Sequence, residues 1–407
     1  MYYPRAMNEC WLKASEQFPV ALLTGPRQVG KTTLLQRLCE SKRKYVTLDD
    51  PGLRALAQED PRLFLERFEP PVLIDEIQYA PGLLPLIKMA VDARRKTGLF
   101  WLTGSQQFQM MKGVSETLAG RVAIMNLLGF SGRERRRLPL DVAPFLPTHE
   151  CLKQRQASAA ATGLKKVYRD IWLGSFPAMI AGPAKDRDLF YSSYLQTYLS
   201  RDVKDLAQVG SEAAFLRFLK ACAARTAQML NLTELARDAD VSVNTAKSWL
   251  SILQASLQVR LLQPYHTSAS KRLVKSPKLY FLDTGLCAYL AEWSTAATLE
   301  AGAMSGAILE TYVFAEMIKS WWNRGATPPL YYYRDKEGTE IDLLFAQDQS
   351  LYPVEVRKSA GPRREWAQTF SVLDRFKQGW AAGGVVCLCP EMIPLSRKVA
   401  AIPLGII

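Results

Sequence analysis

The segment Gly25-Pro26-Arg27-Gln28-Val29-Gly30-Lys31-Thr32 fits the pattern Gly-x4-Gly-Lys-Ser/Thr in full. The spacing has a physical use only between a buried strand and a helix. The glycines let successive backbone N–H groups turn inward around an anion, and the helix N-terminus adds positive potential. Both flanks are present: Val20–Thr24 is a continuous apolar run, and Lys31–Cys39 has helical periodicity. The ligand implied is a nucleotide triphosphate. Gly25, Pro26, Arg27, Gln28, Val29, Gly30, Lys31, Thr32 and Thr33 form the binding segment. Lys31 would reach the β- and γ-phosphates, and the Thr32 hydroxyl would ligate Mg²⁺.

The surrounding residues extend this to a parallel sheet. Further apolar runs at Lys44–Leu48, Pro71–Asp75, Leu99–Thr103 and Val122–Leu127 alternate with helical stretches at Leu53–Phe68 and Leu83–Lys96. Continuous apolar strands separated by helices mean a sheet covered on both faces. Val72-Leu73-Ile74-Asp75-Glu76 delivers two acids to the edge that carries the phosphate loop. Asp75 would hold Mg²⁺ through water, and Glu76 would polarise an attacking water. In Thr103-Gly104-Ser105 a hydroxyl, Ser105 above all, is placed to sense the γ-phosphate. Arg121, just before the last strand, is a candidate arginine finger for a neighbouring copy, which implies a homo-oligomer.

A charge cluster, prolines and a small-residue stretch place one boundary near residue 150. The net charge is +13, divided as +5 for residues 1–150, +9 for 151–290 and −1 for 291–407. The excess therefore sits in the middle and suggests a polyanionic partner. Residues 211–281 read as a winged helix: a first helix over Ser211–Leu230, a second from Thr233 as its cap, and a third capped by Ser242. Asn244, Thr245 and Lys247 face outward on the third helix, and Lys271, Arg272, Lys275 and Lys278 lie in a basic wing. One lysine on the reading helix argues for backbone-led rather than sequence-specific DNA contact.

The last part holds Glu310 on a helix and Asp342 and Glu355 on two strands. An acid followed by an acid–x–lysine strand is the layout by which nucleases of the restriction-endonuclease type hold Mg²⁺ around a phosphodiester. Position 357, which shares a face with Glu355, is arginine here. Arginine does not give up its proton at working pH, so cleavage is expected to be impaired.

The strings LLTGPRQVGKTTL, YVTLDDP, VLIDEIQ, LTGSQQ and LAGR occur in the same order as in a widespread prokaryotic family, which the chain resembles over nearly its whole length. YLQTYLSRDV, LDTGL, LETYVFAEM, GTEIDLLF and PVEVRKS extend the resemblance. Those proteins carry an AAA-type ATPase domain followed by a C-terminal domain of unknown function. The resemblance implies ATP rather than GTP, phosphate binding by Gly25, Gly30, Lys31 and Thr32, and catalytic roles for Asp75 and Glu76. Asp49 and Asp50 match its pattern without an assigned role.

The expectation is thus an α/β chain. A P-loop parallel sheet (1–150) is followed by a helical lid with a winged helix (151–290) and an α/β restriction-endonuclease-like domain (291–407). The function expected is a Mg-ATP-driven switch acting on DNA; a protein-remodelling ATPase and an ATP-controlled nuclease are the alternatives. Seven scattered cysteines and two histidines exclude a disulfide framework and a histidine metal centre. No apolar run approaches the roughly 20 residues that cross a bilayer, so a cytosolic protein without a membrane partner is expected.

Overall fold

The computed structural model describes residues 2–104, 117–156, 162–182, 184–199, 211–266 and 276–407. Ser105, Lys271, Arg272 and Lys275 lie outside the described residues.

The first sheet is built from β1 (Val20–Thr24), β2 (Lys44–Thr47), β3 (Val72–Asp75), β4 (Phe100–Gly104) and β5 (Val122–Asn126). The strands are parallel, in the order β2-β3-β4-β1-β5. β1, β3 and β4 are buried along their whole length, which is why their sequences are apolar without alternation. The register sets Leu23 beside Thr103 and Ile74 beside Leu102. The exits of β1, β3 and β4 therefore share one edge. The stretch expected as one helix, Leu53–Phe68, is two: Pro51–Glu59 and Pro61–Arg67. Pro61 has no N–H to donate, and Asp60 starts a new helix by accepting from Leu63 N–H at 2.9 Å. Asp50 caps the preceding helix in the same way, through Leu53 N–H.

The middle is mostly helical and carries a small antiparallel sheet in the order β6-β8-β7, from β6 (Gln228–Met229), β7 (Val259–Leu262) and β8 (Lys278–Phe281). The first of its three packed helices runs over Glu212–Ala224, shorter than expected. The second, Leu232–Ala239, is capped by Asn231 rather than Thr233. The Asn231 carboxamide accepts from both Thr233 and Glu234 N–H, a better fit than a hydroxyl two residues later. The third, Val243–Ala255, is capped by Ser242. Phe215, Phe218 and Trp249 meet edge-on in its core.

The C-terminal sheet runs β13-β14-β12-β11-β10-β9, from β9 (Leu330–Arg334), β10 (Glu340–Gln347), β11 (Ser350–Val356), β12 (Gly383–Cys387), β13 (Ile393–Pro394) and β14 (Val399–Pro403). β9, β10 and β11 form an antiparallel meander, while β11, β12 and β14 are parallel. The chain is therefore α/β, with a mixed sheet at this end. The helix Ser305–Trp322 links the parts, and its Phe314 ring stacks on Tyr280 of β8 at 4.1 Å. One apolar cluster runs from Leu23 and Leu127 through Phe215 and Leu279 to Phe345. None of the helices among the described residues is long and apolar enough to cross a membrane, and all seven cysteines are free thiols.

Candidate nucleotide site

The phosphate loop turns on two glycines. Gly25 has φ +155°, and a Cβ there would lie 2.1 Å from the Leu127 carbonyl oxygen. Gly30 has φ +90° and caps the helix Lys31–Leu38, a conformation that side chains adopt at a cost. Lys31 is buried, and its ammonium donates to the carbonyls of Gly25 (3.0 Å) and Pro26 (2.9 Å). The Thr32 hydroxyl donates to Asp75 Oδ1 at 2.8 Å. A hydroxyl and a hard carboxylate oxygen side by side are a donor set that fits Mg²⁺.

Asp75 and Glu76 leave β3 with different roles. Asp75 is buried and collects hydroxyls from Thr32, from Thr103, from Tyr45 (3.3 Å) and from Thr47 (3.5 Å). Glu76 sits in the left-handed region, φ +59°, which turns its side chain away from the strand direction. Its N–H is held by Thr103 Oγ at 3.1 Å, and its carboxylate accepts from Gln78. One hydroxyl, that of Thr103, thus joins both acids. The sequence points to this tripeptide; within the described residues the hydroxyl between the acids is Thr103.

Arg27, Gln28, Lys31, Thr32, Thr33 and Glu76 line a cavity of about 430 Å³, closed on its far side by Pro177 and Thr197 of the helical middle. A second cavity of about 390 Å³ adjoins it at Gly30 and Thr33. Its walls are Tyr2, Tyr3, Leu34, Phe130, Pro177 and Ala178, an apolar and aromatic lining suited to a flat base. Behind the loop stands Arg5. Its guanidinium donates to the carbonyls of Val29 (2.8 Å) and Leu128 (2.6 Å) and pairs with buried Glu134 at 3.0 Å. Tyr2, Tyr3 and Arg5 escape a reading of the sequence, because a short run before the first helix carries no periodicity. Arg121 lies at the opposite, amino-terminal edge of the sheet, where it pairs with Asp92 at 2.6 Å.

Residues 17–135 match the family described as "AAA domain", and residues 305–407 match "Domain of unknown function (DUF4143)". Residues 164–297 match "Domain of unknown function (DUF8612)". Uncharacterized proteins of Mycobacterium bovis and Mycobacterium tuberculosis are each 31% identical to the chain over 394 residues, 96% of this chain and 81% of theirs. The chain belongs to this family of prokaryotic AAA-type P-loop ATPases. The AAA-domain match supports an ATP-binding and ATP-hydrolysing activity, and the C-terminal match is to a domain of unknown function. Solved structures with a related chain path include a Walker-type ATPase of Pyrococcus abyssi (15% identity, 70% of this chain and 94% of that one, TM-score 0.42). A Thermotoga maritima RuvB variant is more distant (16% identity, 63% and 85%, TM-score 0.28).

The other residues singled out in the sequence fall in two places. Asn244 and Lys247 are exposed on the third middle helix, and Thr245 is half-buried with its hydroxyl against Ser242. The positive charge of the middle is partly internal: Arg155 and Arg187 are buried, and so is Lys278, which is not a wing residue because Glu310 and Glu340 hold its ammonium inside. Glu310, Asp342 and Glu355 come together at the C-terminal sheet, whereas Glu316 turns the other way, to Gly132 N–H at 2.7 Å and Lys319 at 2.9 Å. Arg357 lies just past β11 and pairs with Glu355 at 2.8 Å.

Proposed function

We propose that the protein is a Mg-ATP hydrolase that works as a switch, with DNA as the partner of its basic middle. One observation carries the switch: the phosphate cavity is walled by the loop on one side and by Pro177 and Thr197 of the helical middle on the other. A group bound there touches both parts, so its loss changes how they meet. In this reading the base rests against Tyr3 and Leu34, and Lys31 turns to the β- and γ-phosphates. Thr32 and Asp75 hold Mg²⁺, which when bound offsets phosphate charge. Glu76 polarises the attacking water, and the Thr103 hydroxyl fixes Glu76 relative to Asp75. Arg121 is too far round the sheet to serve its own loop; as a finger it acts on a second copy.

The DNA part is supported by the exposed Asn244 and Lys247 on a Ser-capped helix and by the net charge of the middle. A protein-remodelling role shares the same ATP site. The nuclease reading is disfavoured by the cations that already fill the acid cluster, Lys278 and Arg357. One assay separates the three: ATP turnover with and without DNA across a salt series, with the DNA run on a gel afterwards. DNA-stimulated turnover that fades with salt is the expected result. A flat response favours a protein partner, and metal-dependent cutting would favour the nuclease. Lys31→Ala should abolish ATP binding and Glu76→Gln should bind ATP without turning it over; turnover surviving in both would remove the site assignment.

A further inference from the structure

The wall that faces the phosphate loop is held from behind by one carboxylate. Pro177 lines both cavities, and Thr197 lines the phosphate cavity. They belong to separate pieces of the middle: Pro177 opens the short helix Pro177–Ile180, and Thr197 ends the helix Arg187–Thr197. Behind Pro177, Ser175 donates both its N–H and its hydroxyl to Asp283 Oδ2, each at 2.7 Å. From the other piece, the Tyr191 hydroxyl lies 3.0 Å from Asp283 Oδ1 and shares its proton with the Leu173 carbonyl at the same distance. Leu286 N–H donates to Oδ1 at 2.8 Å, so Asp283 also caps the helix Thr284–Leu290.

A cap requires only the last of these bonds. The others tie two wall pieces to the residue that follows β8 and Leu282. The space around the carboxylate admits one arrangement. A Cβ on Gly174, which has φ +75°, would lie 2.2 Å from Tyr191 Oη and 2.6 Å from Asp283 Oδ1. A Cβ on Gly285 would lie 2.1 Å from the same Tyr191 oxygen. Ser175 is also locked to the exit of β5: its carbonyl accepts Phe130 N–H at 2.7 Å, and a Cβ on Gly129 would lie 2.2 Å from its Oγ. Segment 127–130 thus touches Gly25 of the loop through Leu127 and the wall through Ser175. Ser175 and Tyr191 are buried, and a buried polar network with its donors satisfied is rigid.

We infer that Asp283 is a positioning residue for the nucleotide: through Ser175 and Tyr191 it sets Pro177 and Thr197 where a bound triphosphate meets them and the phosphate loop together. Asp283 lines neither cavity, so it acts on affinity rather than on the chemical step. Both carboxylate oxygens are used. Asparagine has one acceptor oxygen, and its amide would set N–H groups against the N–H of Ser175 or of Leu286. The inference rests on the reading of the loop Gly25–Thr32 as an ATP site.

The test is equilibrium binding of a non-hydrolysable ATP analogue with Mg²⁺ to the full chain, with steady-state ATP turnover alongside. Wild type is compared with Asp283→Asn, Ser175→Ala and a control, Thr226→Val. Thr226 is buried elsewhere in the middle, 2.8 Å from the Thr311 hydroxyl and 3.3 Å from Phe281 N–H, so its loss weakens the middle without touching the wall. If the wall is seated only about a tenth of the time in Asp283→Asn, Kd rises about tenfold; about threefold is expected for Ser175→Ala, which removes one bond of the set. In both, kcat at saturating ATP should stay within about twofold of wild type, and Thr226→Val should keep the wild-type Kd. If Asp283→Asn does not fold, Ser175→Ala decides the matter. An unchanged Kd in the folded variants would overturn the inference, as would an equal rise in Thr226→Val. So would failure of both variants to fold, the mark of a merely structural contact. Wild type that binds no ATP would overturn the site reading and this inference with it, whereas wild-type binding with unchanged variants would overturn this inference alone.

Discussion

Replacing Thr103 by valine isolates the hydroxyl that joins Asp75 and Glu76. Valine has nearly the same shape and favours strand geometry as threonine does, so β4 and the surrounding core keep their packing. Two interactions disappear: the donation to Asp75 and the acceptance of Glu76 N–H at 3.1 Å. Asp75 keeps Thr32 at 2.8 Å, Tyr45 at 3.3 Å and Thr47 at 3.5 Å, so it stays in place. The loss falls on Glu76, whose N–H is held in the left-handed region by this hydroxyl. A neutral N–H···O hydrogen bond contributes about 0.5–1.5 kcal/mol. If that preorganisation is lost in the transition state, kcat falls about three- to tenfold. The phosphate loop is untouched, so ATP affinity should change less than about threefold, and Thr103→Ser should recover most of the turnover. Steady-state ATPase rates with a separate equilibrium binding measurement decide it. A kcat within about twofold of wild type, or an equal loss in the serine variant, would refute the linking role.

Two other outcomes follow from buried charge. Glu355 is ordinarily ionised above about 4.5 and here titrates at about 9, so between those values the folded chain holds a proton that the unfolded chain has released. Stability is therefore full below the lower value and falls as pH rises through the upper one, by up to roughly 1.4 kcal/mol per pH unit. Glu310, raised to about 7 by burial and by Asp342, adds in the same direction. Thermal midpoints from pH 5 to 9 should fall less steeply in Glu355→Gln, and parallel profiles would contradict this. Arg5→Met breaks a buried pair with Glu134 and frees the Val29 carbonyl. A loss of about 3 kcal/mol or more is expected in thermal unfolding, together with weaker ATP binding; an unchanged ATP affinity would show that the loop does not need this brace.

The first sheet was legible because its strands are buried on both faces and are apolar from end to end, and because a phosphate loop can stand in only one kind of place. The acids after β3 were legible for the same reason. Local chemistry misled where two signals competed: Asp60-Pro61 breaks a helical period, and Asn231 outcompetes Thr233 as a cap. Lys278 was misplaced for a different reason. A lysine after a proline in a basic stretch reads as solvated, and only the pairing of β8 beside the helix Ser305–Trp322 brings it to Glu310 and Glu340. Arg5 is the same case at the other end of the chain. Long-range partners of single charges leave no periodic trace in a sequence.

The helix Ser305–Trp322 carries Glu310 and Glu316 six residues apart, which places them about 240° around its axis and about 9 Å along it. One carboxylate enters the Lys278 cluster; the other seats beneath Gly132 N–H, next to Lys319, whose ammonium holds the Phe130 carbonyl at 3.1 Å. A graft that moved the ATPase part onto another C-terminal part would strand the Gly132 N–H donor and the Phe130 carbonyl acceptor, and would leave β8 with an unpaired lysine. The three parts of this chain are thus poor candidates for shuffling one at a time. They can be inherited, or engineered, only as a set that travels with this helix.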